Sequence, residues 1–114
     1  MFEYRATVIQ VIDGDTIDVS IDLGFDITHK LRVRLYGINT PETRTKNKDE
    51  KAKGLAAKER LRELIEGKSI TLKTQKDDTE KFGRYLGEVF VDAVSINKQL
   101  VQEGHASAYF GGKR

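Results

Sequence analysis

The stretch DEKAKGLAAKERLRELIEGK, residues 49–68, carries the clearest helical period in the chain. Gly67 suits the position just after a helix C-terminus, and Gly54 is expected to weaken the helix locally. The apolar side chains recur at i, i+4, i+7 and i+8, which predicts a helix with one face toward a core. These side chains are Ala57, Leu61, Leu64 and Ile65.

Strand-like segments lie on both sides of this helix, three before it and two after it. They are rich in β-branched residues, and several alternate between apolar and polar side chains. In chain order they are ATVIQVI (6–12), TIDVSIDL (16–23), KLRVRLYGI (30–38), SITLKTQ (69–75) and YLGEVFV (85–91).

The last part of the chain reads as a short helix and a tail. Ser95 can cap a helix over INKQLVQE (96–103), which Gly104 would end. The following HASAYFGGKR (105–114) is interpreted as a short tail.

The order of elements is β-β-β-α-β-β-α, and the fold class is therefore mainly β. Five strands with a helix between the third and the fourth predict the oligonucleotide-binding (OB) barrel, a small, partly open Greek-key barrel. A ferredoxin-like α+β sandwich is the alternative, but it requires a helix between the first two strands, where no helical period is found. The length of 114 residues predicts one domain over residues 1–114.

Composition excludes several classes of protein. The chain has no cysteine, which excludes disulfides and Cys-ligated metals. No apolar run is long enough for a membrane span, and MFEYRATVIQ (1–10) lacks the pattern of a signal peptide. We expect no membrane partner and, if the chain is complete, a cytoplasmic protein. Basic residues cluster in HKLRVR (29–34) and TRTKNKDEKAK (43–53), as solvated surface or as a strip beside a substrate groove.

The stretch VIDGDTIDVSID (11–22) places two carboxylates, Asp13 and Asp15, around one glycine. Asp-Gly is a strong turn signal. However, Asp15 is in phase with Ile17 and Val19, which should point inward, and a buried carboxylate is costly without a cation or several donors. A structural turn and a charged site are both consistent with this stretch.

Charge is concentrated at three strand ends, in DGDT (13–16), RLYGINTPE (34–42) and EKFGR (80–84). Oxygen ligands suit a hard cation such as Ca²⁺ or Mg²⁺. Arginine forks match phosphate oxygens, and a carboxylate near a metal can position or deprotonate a water molecule. Together the three segments indicate phosphodiester chemistry.

The chain resembles the staphylococcal nuclease (thermonuclease) family over nearly its whole length. The likeness lies in the first long helix and in four motifs, which are VIDGDTI, RLYGINTPET, KFGRYLGEVFV and LVQEGHA. It implies an OB barrel with helices and a Ca²⁺-dependent nuclease of little sequence specificity. Its partners would be DNA and RNA, preferably single-stranded, cleaved to leave 3′-phosphates.

The resemblance implies a metal site. Asp15 would be a direct Ca²⁺ ligand, and Thr40 would offer its backbone carbonyl. Asp13 would stand just outside and order the ligands. Asn39 occupies a position where the family has a ligating aspartate; it keeps a carbonyl oxygen but removes one negative charge. We therefore expect weaker, not abolished, Ca²⁺ binding.

The resemblance also implies the catalytic and substrate-binding residues. Glu42 would hold the attacking water and act as general base, while Arg34 and Arg84 would grip the scissile phosphate. Substrate contacts are expected from Lys81, Tyr85 and Tyr109, with surface charge and packing as alternative roles.

A binding module without catalysis is the rival function, because OB barrels also bind single strands with no chemistry. Retention of Arg34, Arg84, Asp15 and Glu42 favours the enzyme, because a pure binder has no need of a carboxylate beside phosphate. Asn39 points modestly the other way. The family's founding members continue into a further helix where this chain stops, so we expect reduced stability in a monomer, or a weak dimer.

Overall fold

The structure, a computed structural model, describes residues 2–75 and 85–109. These residues form eight strands and two helices. The strands are β1 Glu3–Asp13, β2 Thr16–Asp22, β3 Thr28–Leu35, β4 Ile38–Asn39, β5 Ser69–Gln75, β6 Tyr85–Val91, β7 Val94–Ser95 and β8 Ser107–Ala108. The helices are α1 Lys48–Ile65 and α2 Ile96–Gln102.

Five of the strands close into a barrel, as predicted. The main sheet has the order β3-β2-β1-β5-β6, with β7 added beside β6. Neighbouring strands in this order are antiparallel, and a parallel pairing of β6 with β3, from Val33↔Tyr85 to Leu35↔Gly87, joins the two edges. With α1 between the third and fourth barrel strands, this is the OB arrangement.

The core fills the barrel because inward side chains alternate along each strand. Ile17 and Val19 of β2 are fully buried, as is Val33 of β3, whereas Asp22 is exposed. Leu23, the last residue of the second predicted strand, is 49% exposed. It lies beyond the end of β2, in the hairpin loop before β3, where the strand period no longer sets its direction.

Helix α1 covers one end of the barrel with the face that its period predicts. Ala57, Leu61 and Ile65 are fully buried, and Leu64 is partly buried at the edge of the core. Asn47 caps the helix by accepting hydrogen bonds from the backbone N–H groups of residues 49 and 50.

Both predicted helix ends are confirmed. Gly67 follows the C-cap residue of α1 with φ 75°, and Gly104 follows that of α2 with φ 81°. Ser95 caps α2, as its Oγ accepts from the backbone N–H of Lys98.

The third predicted strand (30–38) was wrong at both ends, since β3 begins at Thr28, and the predicted tail was wrong in one respect. Strand β3 ends at Leu35, and a turn with Gly37 at φ 79° precedes the two-residue strand β4. Strand β8 pairs with β4 in the register Ile38↔Ala108 and Asn39↔Ser107, so the predicted tail begins with a strand. Two residues are too few for an alternating pattern to show in the sequence.

In the part of the chain that the structure describes, no helix is both long enough and apolar enough to cross a membrane.

An ion pair joins the two helices. Arg60 on α1 donates from Nε to Oε1 of Glu103 at 2.6 Å and from Nη2 to Oε2 at 3.0 Å. These bonds, with a further one from Gln99, lower the pKa of Glu103 from its ordinary 4.5 to about 2. Because the pair is exposed, its contribution to stability is small.

The pair makes stability depend on pH. Since the pKa of Glu103 is lower in the folded protein than in the unfolded chain, its stabilising effect is complete above pH 4.5 and is lost as the pH falls toward 2. We expect Glu103→Gln to flatten the dependence of the free energy of unfolding on pH in this window. Urea unfolding at several pH values measures it, and equal slopes in both proteins would contradict the prediction.

Candidate active site

A cleft of about 290 Å³ opens at one end of the barrel, where the β1–β2 turn meets the end of β3 and the segment after β4. Most of its lining residues are polar or charged. They are Asp13, Asp15, Thr16, Arg34, Asn39, Thr40, Pro41, Glu42, Thr43 and Arg44. All the predicted site residues within the described part of the chain line this cleft except Tyr85 and Tyr109.

Asp15 is held in place by its own turn and by its neighbours. Leu35 donates its backbone N–H to the Asp15 carbonyl at 2.8 Å. The carboxylate accepts from Thr16 Oγ1 at 3.2 Å and from the Thr40 backbone N–H at 3.3 Å. Arg34 Nη2 lies 3.8 Å away. Asp15 is therefore both a turn residue and part of a charged site, so the two alternatives left by the sequence are combined.

Arg34 is the next-to-last residue of β3 and lines the cleft. Only 12% of its side chain is exposed. Nη2 donates to Asn39 Oδ1 at 3.2 Å. Arg34 Cζ lies over the Tyr109 ring, 5.7 Å from its centroid. A half-buried cation with these partners is held at the cleft wall rather than extended into solvent.

The other two carboxylates of the cleft differ in exposure. Asp13 is half-buried and accepts a 2.5 Å hydrogen bond from Thr43 Oγ1, which ties the β1–β2 turn to the segment after β4. Glu42 is exposed. It also lines a second, neighbouring cleft at the N-terminus of α1, so this residue lies at the rim between the two clefts.

Two glycines allow the elements around the site to approach one another. A Cβ on Gly14 would lie 2.9 Å from both Ala57 Cβ and Thr40 Oγ1. A Cβ on Gly54 would lie 2.7 Å from the carbonyl oxygens of Pro41 and Glu42. The sequence marked Gly54 only as a weak point of the helix, because a close contact between distant segments leaves no local pattern.

Asn97 also supports the site and was missed in the sequence. This residue of α2 is 2% exposed, and its side chain accepts from the Val89 backbone N–H at 3.1 Å. It donates to the carbonyl of Tyr36 at 2.8 Å and to that of Gly87 at 3.2 Å. Since Tyr36 begins the turn that leads to Asn39, the buried amide fixes that turn against β6. The sequence shows only an Asn two positions after the predicted cap residue Ser95, and this pattern does not indicate that the side chain is buried.

Four predicted residues do not belong to the part of the cleft that can be described, and Tyr109, whose ring lies against Arg34, is one of them. Arg84 and Lys81 lie outside the described residues. Tyr85 is 58% exposed at the start of β6 and lines a separate, mostly apolar groove with Phe2 and Leu31.

The donors of the cleft fit a hard cation. Asp15, Asn39 and Thr40 supply a carboxylate, an amide oxygen and a backbone carbonyl, and none of the described residues of the cleft brings a sulfur or an imidazole. Asn39 Oδ1 already accepts from Arg34, but a carbonyl oxygen has a second lone pair. Among residues 2–75 and 85–109, no three His, Cys, Asp or Glu side chains form a metal-binding group. Asn39 and the Thr40 carbonyl would have to supply the remaining oxygens.

Comparison with known proteins identifies the family. The family described as staphylococcal nuclease homologue matches residues 32–114, which is more than half of the chain. The chain belongs to the staphylococcal nuclease family. This match includes Arg34, Asn39 and Glu42 but begins after the β1–β2 turn.

Individual members of the staphylococcal nuclease family are similar over longer stretches. The thermonuclease of Staphylococcus intermedius is 36% identical over 101 residues, 89% of this chain and 57% of its own length. The endonuclease YncB of Bacillus subtilis is 36% identical over 90% of the chain and 46% of its own length. The micrococcal nuclease of Shigella flexneri is 33% identical over 94% of this chain and 59% of its own length.

The chain spans about half the length of these curated relatives. Similarity therefore extends to one part of each relative. The match to the Shigella nuclease covers 94% of this chain. The aligned part therefore includes the β1–β2 turn and the position of Asp15.

Proposed function

We propose that the protein is a Ca²⁺-dependent nuclease that hydrolyses phosphodiester bonds of single-stranded DNA and RNA with little sequence specificity and leaves 3′-phosphate ends. The observation that carries the proposal is the cleft itself, which combines a held arginine, Arg34, with an inward carboxylate, Asp15, and a rim carboxylate, Glu42. Membership of the staphylococcal nuclease family and the names of the relatives support it.

In this proposal Arg34 binds a non-bridging oxygen of the scissile phosphate and stabilises the charge that develops there. Glu42 accepts a proton from the water that attacks phosphorus. Bound Ca²⁺, held by Asp15, Asn39 and the Thr40 carbonyl, would supply positive charge for the phosphate and the water. Asp13 orders these ligands through its bond to Thr43.

The remaining predicted roles are proposals of the same kind. Arg84 would bind the scissile phosphate together with Arg34, and Lys81 and Tyr85 would contact the substrate. The substrate contact expected of Tyr109 would be stacking on a base, which is the alternative to the role argued for this ring below. We propose a monomer or a weak dimer, without a membrane partner.

Basic side chains beside the cleft suit a negatively charged substrate. Arg44 lines the cleft and is exposed. The lysines that follow it, at positions 46, 48, 51 and 53, are exposed as well. Attraction between such residues and phosphates is independent of sequence, which agrees with a nuclease of low sequence specificity.

The second candidate function is a nucleic-acid-binding module with little or no catalysis. It is favoured by Asn39 in the cleft lining. A carboxylate at this position would give the cleft one more negative charge for binding a cation. The exposed Glu42 argues against it, because a carboxylate repels bound phosphate.

One assay tests the proposed function. Single-stranded DNA should be degraded when Ca²⁺ is added, more slowly with Mg²⁺, and not at all in excess chelator, because the described residues of the cleft offer oxygen ligands suited to a hard cation. Gel analysis of a labelled oligonucleotide gives the rate and the nature of the new ends. Full cleavage in chelator would exclude the metal. Binding without cleavage under all conditions would establish the binding module.

Asn39→Asp should tighten Ca²⁺ binding by a factor on the order of ten, because it adds a negative charge beside Asp15. Part of that gain is offset because Arg34, which bonds to Asn39, would pair with the new carboxylate. Calorimetric titration measures the affinity. Gln102→Glu, which adds the same charge at the exposed end of α2, is the matched control. Equal or weaker affinity in Asn39→Asp would place Asn39 away from the cation.

A further inference from the structure

The guanidinium of Arg34 is held from two sides by the strand pair β4–β8. Asn39 of β4 accepts a hydrogen bond from Nη2 at 3.2 Å. Tyr109, the residue after β8, places its ring centroid 5.7 Å from Cζ. An aromatic ring at this distance attracts a cation through the negative charge of its face. The ring and the amide therefore contact Arg34 at different places.

The backbone fixes both partners relative to each other. Ile38 and Asn39 pair with Ala108 and Ser107, and Ser107 Oγ donates to the Asn39 carbonyl at 3.4 Å. The Tyr109 backbone N–H donates to the Gly37 carbonyl at 2.8 Å. The ring is therefore carried by a segment bonded to Asn39 and to Gly37, two residues before it.

We propose that Tyr109 is a positioning residue for Arg34. Its ring, with the Asn39 amide, keeps the guanidinium at the cleft wall in the orientation that meets a phosphate. This inference rests on the proposed nuclease function, and it assigns the ring a role other than stacking on a base. Without the ring the long side chain of Arg34 would lose one of the contacts that restrict its rotamers, and fewer molecules would have the guanidinium in place.

A cycle of variants tests the proposal through the cleavage rate. Tyr109→Leu removes the ring and should lower the rate by about 3- to 30-fold, the range expected for a cation–π contact between exposed and desolvated sites. Tyr109→Phe keeps the ring and should retain the rate. In the Arg34→Ala background, Tyr109→Leu should cause no further loss, because the residue it positions is gone.

Shape and charge of the ring are separated by a second substitution. A ring-fluorinated phenylalanine at position 109 keeps the packing of phenylalanine but removes the negative face. It should lose as much rate as Tyr109→Leu, and this result does not depend on whether the leucine variant folds well. The matched control is Phe90→Leu, because the Phe90 ring contacts Lys73 at 4.8 Å on β5 and β6, and neither residue lines the cleft.

Two outcomes would overturn the proposal. An equal loss from Tyr109→Leu with and without Arg34 would show that the ring acts independently. A loss that disappears when the substrate carries an abasic site would show that the ring stacks on a base.

The contact can also be measured without activity. Urea unfolding of the parent, Tyr109→Leu, Arg34→Ala and the double variant gives the coupling between the two side chains. This coupling should change the folding equilibrium constant by about 2- to 5-fold, as expected for a partly exposed pair. If the parent protein cleaves no substrate, the proposed nuclease function fails. In that case the same cycle is measured through the affinity for a single-stranded oligonucleotide in the presence of chelator. If the losses of affinity in Tyr109→Leu and Arg34→Ala are additive, the positioning role is overturned as well.

Discussion

The Glu42→Gln variant is expected to lose about 10²- to 10⁴-fold in cleavage rate, the usual contribution of a general base. Glutamine keeps the size and hydrogen-bonding reach of glutamate but cannot take a proton from water. Its side chain still lines the cleft that contains Arg34 and Asp15, so the surrounding structure should not change. Single-turnover kinetics with saturating Ca²⁺ measure the rate of the chemical step.

Affinity for single-stranded DNA should hold or improve in the same variant, because a negative charge near the phosphates is removed. The combination of lost rate with retained binding separates a base from a binding residue. Glu50→Gln is the matched control, since Glu50 lines only the neighbouring cleft. Cleavage by Glu42→Gln at the parental rate would show that the catalytic base lies elsewhere.

The barrel could be predicted from the sequence because local patterns define its strands. β2 and β3 alternate cleanly, and the buried face of α1 recurs with the period of a helix. Caps are local as well, so Ser95, Gly67 and Gly104 could be placed before any tertiary contact was known. The order of these elements was then enough to choose the OB barrel over the ferredoxin-like sandwich.

Motifs in the sequence predicted the residues that line the candidate site, whereas the contacts that support them were not predicted. Asp15, Arg34 and Glu42 stand in short charged segments at strand ends, which a sequence displays directly. Their supporting contacts join residues far apart in the chain. Thr43 bonds to Asp13 across 30 positions, and Asn97 bonds to Tyr36 across 61. A single sequence contains no periodic signal for such pairs.

Short pairings were missed for the same reason. The two-residue strands β4 and β8 are defined by each other, and neither has a pattern of its own. Their pairing places Tyr109 over Arg34, a contact that could not be inferred from an aromatic residue in an apparent tail. The sequence thus predicted charged residues that line the cleft but not the contacts that fix their orientation.

The second large effect on the cleavage rate is expected from a substitution of Gly54, which does not line the cleft. In an exposed helix, Gly→Ala is stabilising by about 1 kcal/mol because of helix propensity. Here the added Cβ would lie 2.7 Å from two backbone carbonyl oxygens, those of Pro41 and Glu42. Backbone atoms cannot rotate away as the end of a side chain can, so either α1 or the segment carrying Glu42 must move.

Gly54→Ala is therefore expected to lower the cleavage rate by about 10²-fold, which is the effect of displacing a catalytic group by roughly 1 Å. Overpacking of this kind usually costs about 1–3 kcal/mol, so the gain in helix propensity should be cancelled or reversed. The measurements are the cleavage rate per folded molecule and the free energy of unfolding in urea.

Leu55→Ala is the matched control for Gly54→Ala, because it places alanine at the next, exposed position of α1, where the side chain of residue 55 is 47% exposed. It should leave the rate unchanged. A loss of rate in Gly54→Ala at a temperature where the variant is fully folded would show that helix packing sets the position of Glu42. A variant that cleaves at the parental rate and is more stable by about 1 kcal/mol would show the opposite. The 41–42 segment would then yield to the helix, and the position of Glu42 would depend on the bonds of its own loop, above all the one between Thr43 and Asp13.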